Sequence, residues 1–457
     1  MKRTHGGKAL GLAMILALLW TPAAAAGDRL TLDQAVTRGL ANNRLIRAAM
    51  EASRAAVAAQ TSAKSDFFPD LSATYQYTGL TDTPFMYFTK AVVNPGGLTV
   101  GSQRIEAPTG TRDNYAWYLR LTQPLFTGFA LTTRYKMAET GIAAKQVERA
   151  QAELDVIRQV RLAYVQILAA QRRLAVAEEA VAGLQAHVKD AERFYDQGLI
   201  PNNDLLQSQV ALAAAEQQRA EVQGRVRMAV AALNILIGYD LDRDTQVAEI
   251  AVESTFIPEL DTLRRAARDQ RPEPQALTLA ITQIDQGINL AQSVYYPQLA
   301  LVGQYQQEGD NPGASRNNFR NAQNASMTLQ AQWLFHTGGK TRADVSRLRH
   351  QRKALEERRL GIQESIDLEV MDVRIRLEVA AGNIGTAEKA LEQARENLRI
   401  TTLRYQQQIA TSTEVLDATT ARTQAQTNYY GALYGYEAAR AELDRAVGRK
   451  TFDPAKG

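Results

Sequence analysis

The stretch that decides the fold runs from Thr341 to Gln408: TRADVSRLRHQRKALEERRLGIQESIDLEVMDVRIRLEVAAGNIGTAEKALEQARENLRITTLRYQQQ. It contains no proline. Apolar residues return at Leu348, Leu355, Ile362, Ile366, Val373, Leu377, Ile384, Leu391 and Leu398. The steps are mostly sevens, with an eleven from Ile362 to Val373, which makes a heptad seam with one stutter. The spacing predicts one helix packed against other helices. At about 1.5 Å per residue it runs on the order of 100 Å, longer than a compact domain of this size can enclose. The chain is therefore expected to be elongated and multi-helical.

Immediately before this rod, Met327, Leu329, Ala331 and Trp333 alternate with Thr328, Gln330 and Gln332, the period of a strand. Leu334-Phe335-His336-Thr337-Gly338 ends it. Gly338-Gly339-Lys340-Thr341 looks like a phosphate loop, but Leu334 stands where the first glycine belongs, so it reads as a strand-to-helix turn. After the rod, a turn from Gln408 to Glu414 leads into a last helix, Thr413 to Val447.

The first half of the chain carries the same order. Phe68-Pro69 with Leu71 answers Tyr296-Pro297 with Leu299. Leu125-Phe126 before Thr127-Gly128 answers Leu334-Phe335 before Thr337-Gly338. Tyr195 before the turn at Gly198 to Asp204 answers Tyr405 before the turn at Gln408 to Glu414. Each half reads as helix, strand, loop, strand, long helix, turn, shorter helix. The first repeat spans residues 27–258 and the second 259–457.

Helices are expected from Leu30 to Lys64, with Thr31-Leu32-Asp33 as cap, from about Leu131 to Tyr195, and from Asp204 to Ile237 with Asn202 or Asn203 as cap. Another runs from Glu259 to Ser293, interrupted at Pro272 and Pro274. Strands are expected near residues 70–80, 116–126, 298–306 and 326–335. Thr81 to Asn114 and Gln307 to Asn324 read as long loops. The lengths close if each rod lies beside two shorter helices stacked end to end, with Leu30 to Lys64 completing the second half.

All four strands show one face of Leu, Tyr, Trp or Met and one of Gln, Thr or Ser. This fits a half-buried sheet on a soluble core. It also fits a membrane barrel, apolar toward lipid and polar toward a wet lumen. The first reading lacks a partner layer, because the helices are committed to their seams. Four strands cannot close around a channel, since closed barrels begin at about eight; three copies would supply about twelve. The favoured fold is mainly α with a small membrane β-barrel, in which duplicated long-helix hairpins continue the barrel.

The 457 residues carry a formal net charge of +4. Lys2, Arg3 and Lys8, the apolar run Ala9 to Trp20 and the small residues Ala23 to Ala26 read as a signal peptide over residues 1–26. Without those three cations, 50 basic residues face 49 acidic ones, about +1, which gives no argument for nucleic acid. There is no cysteine, hence no disulfide and no thiolate metal site. Of the four histidines His5 lies in the leader, and His187, His336 and His350 stand alone and read as surface or packing residues rather than ligands. No nucleophile elbow or zinc-protease helix occurs, so no enzyme, cofactor or metal is expected.

Taken together, these residues resemble the TolC-type outer-membrane efflux proteins, the outer membrane factors, over nearly the whole mature length. The marks are Leu30-Thr31-Leu32-Asp33 with Ala35 and Asn42-Asn43, Phe68-Pro69 and Tyr296-Pro297, Arg271-Pro272, and Val415-Leu416-Asp417-Ala418-Thr419-Thr420. The resemblance implies a homotrimer with a twelve-stranded β-barrel in outer-membrane lipid and an α-barrel in the periplasm. It implies an exit duct for efflux or type I secretion, joined to a periplasmic adaptor and to a proton-driven or ATP-driven inner-membrane pump.

The resemblance also implies that the two turns form a gated tip. Glu414 and Asp417 match a pair of inward carboxylates that would form acidic rings favouring cations; Thr411-x-x-Glu414 is equally a capping box. Tyr405 and Asp204 match a tyrosine–aspartate tie, with seam packing as the alternative for Tyr405. Ala410 stands where an arginine would make a second tie, and Asn203 faces it. Gly198, Leu199, Ile200, Ile409 and Ala410 put apolar groups at the apices, either tucked inward or meeting the adaptor. Two other functions compete with the duct: a periplasmic coiled-coil scaffold without a pore and, well behind, an enzyme.

Overall fold

The computed structural model describes residues 29–251, 256–318 and 322–450. The leader over residues 1–26 lies outside the described residues. In chain order the elements are α1 (Leu32–Asn42), α2 (Arg44–Ser65), β1 (Asp70–Gly79), β2 (Phe85–Val93), β3 (Thr99–Pro108) and β4 (Asp113–Phe126). Then follow α3 (Ala130–Asp196), α4 (Asn202–Ile237), α5 (Leu260–Gln270), α6 (Pro272–Gln292), β5 (Gln298–Gly309), β6 (Gln323–Gln332), α7 (Lys340–Gln406) and α8 (Ser412–Val447).

The two rods, α3 and α7, are 67 residues each, and their return helices α4 and α8 are 36 residues each. Along α7 the seam residues Ile366, Val373, Leu377 and Leu391 are buried, and Leu348, Leu355, Ile362, Ile384 and Leu398 are half-buried. The heptad pattern thus marks the packed edge of the rod. No helix among the described residues is long and apolar enough to cross a membrane.

β1, β4, β5 and β6 form one antiparallel sheet in that order. Its register aligns like faces across the strands. Leu71 stands opposite Leu121, Leu121 opposite Gly303, and Gly303 opposite Met327. On the other face Ser72, Arg120, Gln304 and Ser326 form the matching row. The apolar face has no covering layer: Leu71 is 67% exposed, Met327 78% and Leu329 66%. Aromatic groups bound it at both ends. Tyr75, Tyr77, Tyr115 and Trp117 cluster at one, and Phe126, Phe129, Tyr296, Trp333 and Phe335 lie at the helix junctions. An exposed apolar band between aromatic girdles is the surface of a strand array that faces lipid.

The helices repeat the order of the sheet. Next to the strands α2 packs on α3, α3 on α6 and α6 on α7, and these four helices lead into or out of β1, β4, β5 and β6 respectively. Toward the far end the row becomes α4, α3, α8 and α7. The chain is therefore a ribbon four elements wide at every level. The expected pairing of the Leu30–Lys64 helix with the second rod is not made within the chain, because α2 packs along α3 instead.

Three local expectations are corrected. The Leu30–Lys64 helix is broken at Asn43, which leaves helical geometry (ψ 133°), caps α2 through Leu45 N at 2.9 Å and donates to the Leu236 carbonyl at 3.1 Å. The Thr81–Asn114 segment is not a loop but holds the β2–β3 hairpin, turned at Asn94-Pro95-Gly96-Gly97. Large apolar residues on both of its faces, such as Tyr87 and Phe88, hide the alternation that marks a strand. The cap of α4 is Pro201, and Asn202 is already its first helical residue.

At the strand-to-rod junctions the Thr-Gly pairs do the same work. Thr127 Oγ1 accepts from Leu131 N at 3.3 Å and Thr337 Oγ1 from Thr341 N at 3.5 Å. Gly128 takes φ +62°, where a side chain would strike the Ser293 carbonyl.

Near mid-length of the rods the ribbon is bound crosswise. Tyr164, fully buried in α3, reaches the Leu30 and Ala248 carbonyls at 2.7 Å, and Leu30 makes a parallel bridge with Val247. In the second half Arg271, at the start of α6, donates to Glu273 at 2.9 Å, to Glu369 of α7 at 2.5 Å and to the Ala446 carbonyl of α8 at 3.2 Å. Arg445 of α8 joins Glu273 at 3.0 Å and Asp155 of α3 at 2.5 Å, and Arg161 pairs with Asp444. Burial alone would raise the Glu273 pKa, but the Arg271 and Arg445 guanidiniums and its own backbone amide hold it down at about 2.

Arg271→Met takes the cation from Glu369 and leaves Glu273 with Arg445 alone. It is expected to cost about 3 kcal/mol, the low end for a broken buried pair, because the Glu369 side chain stays 44% exposed. Thermal unfolding followed by circular dichroism reads the loss. The gap from the unaltered protein is full above pH 4.5, the ordinary Glu value, and closes as pH falls toward 2, where Glu273 takes its proton in the folded state. A gap that ignores pH would mean that ion pairing is not its source.

Candidate functional site

The end of the ribbon away from the sheet is made of the α3–α4 and α7–α8 turns. Both close in the same way. Leu199 N bonds the Phe194 carbonyl and Gly198 N the Tyr195 carbonyl, each at 2.8 Å. Ile409 N bonds the Arg404 carbonyl at 2.8 Å and Gln408 N the Tyr405 carbonyl at 2.9 Å. This is the Schellman pattern, which needs a left-handed residue after the helix. Gly198 supplies it at φ +67° without strain, whereas Gln408 adopts φ +62° at a cost of about 1 kcal/mol.

At the apices Gly198, Leu199 and Ile409 are exposed, with Ile409 at 63%, while Ile200 and Ala410 are half-buried. The apolar tips of Leu199 and Ile409 are therefore not tucked inward. Asn203, opposite Ala410 in the sequence reading, is exposed.

Glu414 and Asp417 open α8 on its exposed side. Thr411 and Glu414 form the capping box: Glu414 N donates to Thr411 Oγ1 at 3.3 Å and Thr411 N to Glu414 Oε1 at 3.1 Å. The Thr411 amide and hydroxyl, followed by Arg404 at 3.9 Å, hold the Glu414 carboxyl below the usual carboxylate range. Capping and exposure thus coexist. Asp417 is exposed and makes no ion pair among the described residues.

Tyr405 is buried, packed between His187 and Phe194 of α3 with ring centroids 4.8 and 5.4 Å away. Its hydroxyl lies beside Ser412 but makes no hydrogen bond of good geometry within the chain. Burial first, then the Asp204 and Asp190 carboxylates, push the phenol pKa up. Tyr405 and Asp204 are thus neighbours, with no bond closed between them in the single chain. Tyr195, the counterpart of Tyr405 in the first rod, is exposed. The two turns are alike in backbone and unlike in packing.

A second polar set at the tip escaped the sequence reading. Ser412 of α8 lies 2.8 Å from His187 Nε2 of α3 and 2.9 Å from the Ser208 hydroxyl of α4, and both serines are fully buried. The one available signal was position. His187 adjoins the buried run Val181, Leu184, Val188 and Ala191, so it sits on the packed face.

Known proteins share this fold. The sequence model of the family described as "Outer membrane efflux protein" matches residues 35–239 and 263–449. Among solved structures, the CmeC outer membrane channel of Campylobacter jejuni superposes with a TM-score of 0.74 at 16% identity, covering 93% of this chain and 88% of that one. The outer membrane protein VceC of Vibrio cholerae gives 0.72 at 18%, covering 92% and 96%. The open state of the Neisseria gonorrhoeae MtrE outer membrane channel gives 0.67 at 18%, covering 92% and 89%. At these identities the structural likeness is one of fold, while the family match runs through both rods, both return helices and the sheet. The chain belongs to the outer membrane efflux protein family.

Proposed function

We propose that three copies of this outer membrane efflux protein close into one passive exit duct, a twelve-stranded barrel in the outer membrane continued by a helical barrel in the periplasm. The observation that carries this reading is the ribbon itself. Among the described residues β1 and β6 are unpaired edges of the sheet, and in lipid an unpaired backbone donor or acceptor costs several kcal/mol. The helical rows end in open edges as well. Val57 on α2, Val210 and Met228 on α4, and Leu360, Leu368 and Val379 on α7 are exposed apolar residues there. Joining β1 to β6 of the next copy aligns α2 and α4 with that copy's α7, so one operation satisfies the edges at every level. Light scattering of the detergent-solubilised protein is expected to give a trimer; a stable monomer refutes the closure, and a trimer that never conducts favours a scaffold without a pore.

The tip is the gate and the docking end of this duct. Glu414 and Asp417, repeated around the axis, make acidic rings that favour cations while the opening is narrow. Asp204 and Tyr405 tie neighbouring helices in the closed form, with no arginine tie at Ala410 to reinforce them. A charge-assisted bond of this kind contributes roughly 1.5–3 kcal/mol, enough for a few per trimer to hold a gate yet yield to a partner. Tyr405→Phe with Asp204→Ala is expected to raise single-channel conductance several-fold in a planar bilayer, and unchanged conductance removes the tie from the gate.

Leu199 and Ile409 meet a periplasmic adaptor, through which an inner-membrane pump, proton-driven or ATP-driven, delivers its cargo. The exposure of both side chains at the apices supports this contact. Leu199→Asp is expected to abolish efflux in cells while the trimer stays intact; normal efflux would place the contact elsewhere.

A further inference from the structure

The three histidines of the described chain divide clearly. His336 and His350 are exposed, and His187 is buried. His187 Nε2 lies 2.8 Å from Ser412 Oγ, Ser412 Oγ lies 2.9 Å from Ser208 Oγ, and Ser208 donates to the Asp204 carbonyl at 2.9 Å. Ser208 has one proton and gives it to Asp204. Ser412 therefore donates to Ser208, and neutral His187 donates from Nε2 to Ser412. With those roles the relay runs one way, from His187 through Ser412 and Ser208 to the Asp204 carbonyl. The imidazole also packs on the Tyr405 ring, so a single side chain of α3 is connected to α4, α7 and α8. Ser412 Oγ is no nucleophile: it is fully buried, out of a substrate's reach.

We propose that His187 is a positioning residue of the tip gate, holding α3, α4, α7 and α8 in the narrow form through Ser412, Ser208 and Tyr405 while it is neutral; the second proton goes to Nδ1 and leaves the Ser412 bond in place, so release comes from the cost of keeping a charged ring in this buried site. This rests on the duct reading above and adds to it a proton-sensitive latch within each chain.

The groups facing the latch can be named. On α3, Asp190 is nearest and is itself paired with Arg193. From α4 comes Asp204, from α7 Tyr405 and Arg404, and from α8 Ser412 and Glu414, with Arg404 and Glu414 opposing each other at 3.9 Å. Burial lowers the imidazole pKa from 6.5 and outweighs Asp190, which raises it. In an opened, hydrated tip the pKa returns toward 6.5. Above that value both forms hold neutral His187 and the latch is fully engaged. As pH falls below 6.5 the open form takes the proton first, and the closed form loses ground by up to about tenfold in population for each unit of lowering.

The test uses the full-length protein in a planar bilayer, with the turn side taken from about pH 7.5 to about 5.5. The open fraction is expected to rise as pH passes below 6.5. His187→Asn keeps a side-chain donor and has no titrating proton, so its open fraction is expected to stay flat. Ser412→Ala, which cuts the relay, is expected to open more often already at the higher pH. A His187→Asn profile that follows the unaltered protein overturns the latch. If that variant does not assemble, carbon-13 titration of the imidazoles in the unaltered protein decides. A His187 midpoint below 6.5 supports the latch, and one at or above 6.5 overturns it. A protein that conducts at no pH refutes the duct, whereas one that conducts equally across the range refutes the latch alone.

Discussion

Everything in this molecule follows from backbone hydrogen bonds that one chain cannot complete. A sheet of four strands has two edges, and in hydrocarbon there is no water to satisfy them. In the proposed duct the partner is another copy, because all of the described strands except the β2–β3 hairpin are already in the row. The same arithmetic governs the helices. The rod α3 is flanked on both sides within the ribbon, whereas α7 is flanked on one side only and leaves its outer side bare. The width of the ribbon, rather than any single contact, sets the architecture.

Much of this was legible in the sequence, for identifiable reasons. The seam from Leu348 to Leu398 is a period that only a long packed helix uses, and its residues are the buried or half-buried ones on α7. The four barrel strands were legible because Leu71, Leu119 and Leu329 alternate with polar neighbours, and Leu299, Leu301 and Tyr305 keep the same period in β5, as a sheet between lipid and water requires. The β2–β3 hairpin was not, since Met86-Tyr87-Phe88 and Val92-Val93 are apolar on both faces and cancel the period. The break at Asn43 was hidden by a helical pattern that continues in phase on both sides, and the asparagine that makes it is bound to Leu236, 193 residues away.

The tip divides along the same line. The Thr411 and Glu414 capping box is local, and the sequence announced it. The apolar apices were equally plain, although only the structure could say which way they face. The His187, Ser208 and Ser412 set joins residues more than 200 positions apart in its longest steps, and no pattern along the chain links a histidine in one rod to a serine beginning another helix. Tyr405 was singled out by its place before the turn, yet its burial against Phe194 and the exposure of Tyr195 come from packing alone.

The crosswise binding near mid-length has a mechanical meaning. Arg271, Arg445 and Arg161 clamp the rods about halfway along α3 and α7, leaving a free arm of roughly 50 Å on the turn side of each 67-residue helix. Such an arm is a lever with its fulcrum at the clamp. A tilt of about 5° there sweeps the far end through about 4 Å, close to the diameter of a small solute. In the proposed duct, three such pairs of arms leaning outward would widen the tip with no helix unwound.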